Sequence, residues 1–132
     1  MKKIYLETTL FNYYLDEERD AHADTVTLFE ECKFGKFKPY TSLYAIKELE
    51  NAPIEKCDAM LSLIERYNVT VLAASDEADN LAKRYISEGA LPLGSLEDAN
   101  HIAIASVNNL DMIISLNFKH IVREKTIKLT VQ

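Results

Sequence analysis

Short β-prone runs separated by longer stretches of helical periodicity are the feature that most restricts what this chain can fold into. Ile4-Tyr5-Leu6, Tyr40-Thr41, Val69 to Leu72 and Met112-Ile113-Ile114 are such runs. The stretches between them are long enough to hold crossover helices, and strands joined by crossovers lie parallel, whereas strands joined by tight turns lie antiparallel. The pattern therefore predicts a central, mainly parallel sheet with right-handed crossovers. Met112-Ile113-Ile114 lacks polar alternation, as a strand covered on both faces does, while Ile127, Leu129 and Val131 alternate like a half-buried edge. The expectation is one three-layer α/β/α domain over residues 1–132, with functional sites at the carboxyl ends of the strands.

The helices are delimited by local signals. Asp24 or Thr25 can cap a helix with Val26, Phe29 and Cys32 inward and Gly35 as its stop. Ser42 can cap the next, and Pro53 suits the first turn of a helix whose Cys57, Met60, Leu61, Ile64 and Tyr67 share one face. Ser75 opens a helix with Ala78, Leu81, Ala82 and Tyr85 inward and Gly89 as its stop. Ser95 to about Asn108 is the most apolar helical stretch.

Several classes of protein are disfavoured. No apolar run reaches the ~18 residues of a membrane span, and the start of the chain meets Glu7 too early for a secretory signal, so a cytoplasmic location is expected. Cys32 and Cys57 have no metal-ligand spacing and read as reduced core residues. A net charge of −6 opposes general attraction to nucleic acid, so handling RNA would require bridging cations or a local basic surface.

Three acids stand where acids are costly. In the helix after Ser42, Glu48 projects between Tyr44 and Ala45 on the apolar arc, while Lys47 and Glu50 project oppositely. A core-side carboxylate costs several kcal/mol unless compensated, so Glu48 is either bound to something or snorkels to the rim. Asp98 shares a face with Ile102 and Ala105, whereas Glu97 lies with His101 and Asn108 on the more polar side. Ser95-Leu96-Glu97-Asp98 also fits a variant capping box, which is an alternative role for Asp98. Glu7 ends the first strand and reads either as a site acid or as a polar residue where sheet gives way to solvent. All three could face one strand-end crevice, where clustered carboxylates favour a hard divalent cation such as Mg²⁺ or Mn²⁺ over zinc.

Four stretches carry a family resemblance: Ile4 to Thr9, Ser42 to Glu48, Leu96 to Ala105, and Ile113 to Ile121. Through them the chain resembles the PIN-domain family, particularly the VapC-type toxins of toxin-antitoxin pairs. The resemblance implies that Glu7, Glu48, Asp98 and Asn117 are the catalytic and metal-binding positions, with Glu7 where the family usually has Asp. It implies that Thr9 supports the first acid, though Thr8 could serve equally. It further implies a Mg²⁺- or Mn²⁺-dependent ribonuclease that hydrolyses RNA phosphodiester bonds, an antitoxin protein as partner, and a homodimer. The alternative is a catalytically decayed PIN-like binding or scaffold protein, with Glu7 as the sign of decay, because its extra methylene displaces the carboxylate.

Other residues have plainer readings beside functional ones. His101 and His120 lack a third ligand at zinc spacing. His101 is expected on a solvated helix face. Lys119, Arg123, Lys125 and Lys128 form a basic patch where Lys119 and Arg123 could meet an RNA backbone, or are simply surface. Phe11, Tyr13 and Tyr14 either stack on bases or pack the first helix onto the sheet.

Overall fold

The computed structural model describes residues 1–88 and 96–116. In chain order the elements are β1 (Lys2–Leu6), α1 (Thr8–Leu15), α2 (His22–Lys33), β2 (Phe37–Ser42), α3 (Leu43–Leu49), α4 (Ile54–Arg66), β3 (Thr70–Leu72), α5 (Asp76–Ser87), α6 (Leu96–Val107) and β4 (Met112–Ile114). The strands pair in the order β3-β2-β1-β4, and every pairing is parallel. Register is set by Tyr5, which lies beside Tyr40 on one side and Ile113 on the other.

β1 is the central strand, and its three apolar residues have no solvent exposure. Strand side chains alternate between faces. Ile4 and Leu6 accordingly enter one core with Leu10, Phe11, Phe29, Met60 and Leu63 from α1, α2 and α4. Tyr5 enters the other, with Ala82 and Tyr85 of α5 and Ile102 and Ala103 of α6. This is the three-layer α/β/α arrangement with a parallel sheet between helical layers.

Helix boundaries follow local chemistry. Ser42 and Ser75 cap α3 and α5, each accepting from the backbone N–H three residues on (Ala45 and Ala78). Gly35, Asn68 and Asn109 adopt left-handed backbone just past α2, α4 and α6, with φ of 85°, 54° and 57°. One boundary differs from expectation: α2 begins at His22, so Asp24 and Thr25 lie inside it rather than capping it. Thr25 is buried, and its hydroxyl donates back to the Ala21 carbonyl at 2.7 Å. In α4 the buried face is Cys57, Met60 and Leu63, continued by Tyr67 at the cap just past its end, with Leu61 and Ile64 only partly covered. The expected stop at Gly89, the loop before α6 and the edge strand at residues 127–131 lie outside the described residues.

Candidate metal-binding and catalytic site

The sheet order reverses direction at β1 and β4, and open parallel sheets bind ligands in the crevice beyond such a point. Glu7 sits there. Its backbone N–H donates to the Ile114 carbonyl at the end of β4, at 3.1 Å. The residue is also the N-cap of α1 and is only 3% exposed, so it is not the solvent-facing sheet end that is one reading of the sequence. Three donors hold its Oε1: the Thr9 backbone N–H at 3.1 Å, the Thr9 hydroxyl at 2.5 Å and the Ser115 hydroxyl at 2.6 Å. The Leu116 N–H in turn donates to Thr9 Oγ1 at 3.1 Å, tying the end of β4 to the start of α1.

Glu48 approaches from α3, the helix that follows β2. Lys47 and Glu50 are exposed, whereas Glu48 is turned inward with 28% of its side chain accessible. Its Oε1 accepts from the Thr8 hydroxyl at 2.8 Å and from His101 Nε2 at 2.5 Å. The two adjacent threonines thus divide the work: Thr8 serves Glu48 and Thr9 serves Glu7. Burial pushes the Glu48 carboxyl up. The hydrogen bond and, when the ring is protonated, the charge of His101, together with the Thr8 hydroxyl, outweigh burial and hold it below the ordinary glutamate value.

His101 is where the structure departs furthest from the sequence. It is 2% exposed rather than on a solvated face. Residues 99 to 105 of α6 are all buried, so the helix has no solvent face in this region from which periodicity could be read. The imidazole Nδ1 meets the Tyr5 hydroxyl at 2.5 Å, and that hydroxyl meets Ser42 Oγ at 2.7 Å. Burial, the largest influence, drives the Tyr5 phenol far above the ordinary tyrosine range, so it remains protonated. A chain of buried polar groups therefore runs from Ser42 at the end of β2 through β1 and α6 to Glu48. Sequence reasoning missed Ser42, Tyr5 and His101 as one unit. The signal available was a Tyr within the apolar run of β1 and a His within the most apolar helix, both of which require partners when buried.

Glu7 and Glu48 face one cavity of about 360 Å³, lined also by Thr8, Thr9, Asn12, Asn51 and Lys56. Asn12 Oδ1 is buried in its wall and has no hydrogen-bond partner among the described residues. Asp98 is half-buried in the first turn of α6, one turn before His101, and does not line this cavity. Among the described residues no three His, Cys, Asp or Glu side chains form a ready metal-holding group. The oxygen donors present nevertheless suit a hard cation: two carboxylates and an amide oxygen that has no hydrogen-bond partner among the described residues, while the sulfur in the lining is the thioether of Met60, a poor ligand for such an ion. Mg²⁺ commonly uses one or two carboxylates and retains its waters. Asn117, Lys119 and Arg123 lie outside the described residues.

The aromatics near the start of α1 mostly belong to the core. Phe11 and Tyr14 pack on Phe29, with ring centroids 5.6 and 5.1 Å away, and Tyr14 also hydrogen-bonds Tyr67, which removes both from base stacking. Arg19 covers the ring of Tyr13, 4.9 Å from its centroid.

No family model and no curated protein matches the sequence. Solved structures do match the fold. VapC20 of Mycobacterium tuberculosis, described as a sarcin-ricin loop cleaving toxin, superposes with a TM-score of 0.70 at 13% identity, over 92% of this chain and 97% of that one. VapBC2 from Rickettsia felis, bound to a DNA fragment from their promoter, superposes with a TM-score of 0.62 at 15% identity, over 91% of this chain and 93% of that one. The chain has the VapC-type PIN-domain fold.

Proposed function

We propose that this protein is a divalent-metal-dependent ribonuclease and the toxin of a toxin-antitoxin pair. The observation that carries the reading is the pair Glu7 and Glu48 on one cavity wall at the sheet's switch point, each with its Oε1 tied back by hydrogen bonds. A bound Mg²⁺ or Mn²⁺ supplies Lewis acidity toward a phosphoryl oxygen and lowers the pKa of a water. In this reading Glu7 and Glu48 hold the cation, and Asp98 and Asn117 are its further ligands by resemblance. Thr9 and Ser115 orient Glu7, while Lys119 and Arg123 meet the RNA backbone. The likeness to VapC20 supports a structured RNA loop as the substrate class, and the likeness to VapBC2 supports an antitoxin as partner. Among the described residues no helix is long and apolar enough to cross a membrane.

One observation favours a second reading, a catalytically decayed PIN-like binding protein: Glu7 stands where the family usually has Asp, and its Oε1 is already taken by three donors. Cleavage of ribosomal RNA with Mg²⁺ or Mn²⁺, compared with EDTA, separates the two. The proposal expects metal-dependent cleavage that falls roughly a hundredfold or more in Asp98→Asn and Glu48→Gln. Asp98→Asn protein that cleaves as fast as wild type would overturn it, and metal binding without cleavage would favour decay.

A further inference from the structure

Among the described residues, both cavity carboxylates receive hydrogen bonds on one oxygen only. Every hydrogen bond that Glu48 receives from a described residue ends on Oε1, from His101 Nε2 at 2.5 Å and Thr8 Oγ1 at 2.8 Å. The bonds to Glu7 also converge on Oε1, from Thr9 and Ser115. In each case Oε2 receives no hydrogen bond from a described residue. A carboxylate arranged in this way can offer one oxygen to a cation, but it cannot chelate with both without breaking two or three charge-assisted hydrogen bonds.

For Glu48 the constraint comes from deep in the fold. A carboxylate only accepts, so the proton at the contact belongs to His101 Nε2. On the other side of the ring, Nδ1 meets the Tyr5 hydroxyl, which can donate or accept, and Ser42 Oγ stands behind it. Ser42 is itself pinned by the Ala45 N–H at 3.2 Å. Tyr5 is fully buried and His101 is 2% exposed, so neither ring has room to turn away. In either protonation state of the ring, Nε2–H points at Glu48.

We propose that His101, braced by Tyr5 and Ser42, is a positioning residue that fixes Glu48 as a one-oxygen ligand, so that the site takes a small octahedral cation and discriminates against Ca²⁺. The inference rests on the metal-dependent reading above. Its physical basis is that Ca²⁺ favours six to eight oxygens and commonly uses a bidentate carboxylate, whereas Mg²⁺ and Mn²⁺ accept monodentate carboxylates completed by water.

The test is Mn²⁺ binding followed by the EPR signal of the free ion, with Ca²⁺ as competitor, in wild type, His101→Ala, His101→Gln and Tyr5→Phe. Wild type is expected to hold Mn²⁺ against equimolar Ca²⁺. His101→Ala should bind Mn²⁺ about 10–100-fold more weakly and with a narrower Mn²⁺/Ca²⁺ ratio. His101→Gln, whose amide nitrogen reaches the Nε2 position, should recover most of both. Tyr5→Phe, nearly isosteric, should lose part of the ratio because the ring is no longer braced. Folded His101→Ala with wild-type affinity and ratio overturns the proposal. Should that variant fail to fold, Tyr5→Phe with an unchanged ratio does so. Wild type that binds no Mn²⁺ overturns the metal-dependent reading as well, whereas wild type that binds Mn²⁺ indifferently to position 101 overturns only the positioning role.

Discussion

Glu48 is subject to opposing influences: burial raises its carboxyl pKa, and the stronger combined effect of His101 and Thr8 lowers it. A carboxyl held below its ordinary value contributes stability that is fully present above the unfolded value of 4.5 and is lost as pH falls through the folded one. In EDTA, the stability difference between wild type and Glu48→Gln should therefore shrink as pH drops below about 4.5. Urea unfolding at a series of pH values measures this, and a difference that stays flat down to pH 3 would contradict it. Cys32 offers a simpler check. Burial, helped by the charge of Glu31, pushes its thiol up to about 11, so little thiolate exists near neutrality. Iodoacetamide at pH 8 should leave Cys32 unlabelled in the native protein and label it fully in denaturant, as read by peptide mass spectrometry. At this scale the inward turn of Glu48 was legible, because Lys47 and Glu50 marked the opposite face. His101 was not, because a helix buried on all sides presents no polar stripe against which one residue can be placed.

Ser42 and Ser75 occupy the same local role, each capping a helix through an N–H three residues on, but their surroundings differ. Ser75 is exposed, so Ser75→Ala should cost only the cap, about 1 kcal/mol. Ser42 has no solvent exposure and also partners the Tyr5 hydroxyl, so Ser42→Ala leaves a buried phenol short of a bond and should cost about 2–4 kcal/mol. Equal shifts in the urea midpoint would refute the distinction. Both caps could be read from sequence, because a Ser ahead of an apolar periodic run is a local signal. The start of α2 could not: the helix is entered from the turn in which Arg19 pairs with Asp16 and His22 Nδ1 meets the Tyr13 carbonyl. Those contacts between separate residues fix the boundary two positions before the best capping residue. Leu63 was missed for a related reason. Helices α1 and α3 press on α4, and the buried arc turns toward them rather than following the centre of the apolar stripe.

At the scale of the whole molecule, β1 divides two cores, and polar contacts join elements across the sheet's carboxyl edge. Glu48 sits on α3 and reaches His101 on α6, while Glu7 links β1 to the end of β4 through Ser115. A cation held by both carboxylates would connect these linkages, and anything that binds only the folded state stabilises it by mass action. At a hundredfold excess over its Kd, Mn²⁺ should contribute about 2.7 kcal/mol and raise Tm by roughly 10 °C for a chain of this length. The net charge of −6 provides a competing explanation, since any cation relieves repulsion on an acidic surface. The two effects separate by site: relief of general repulsion is reproduced by NaCl at matched ionic strength and persists in Glu7→Gln and Glu48→Gln, whereas specific binding is abolished or strongly reduced in both variants and is not reproduced by salt. Scanning calorimetry of the three proteins with and without Mn²⁺ makes the comparison. A rise in Tm of equal size in all three would mean that the two carboxylates hold no ion together, however closely the fold brings them to one cavity.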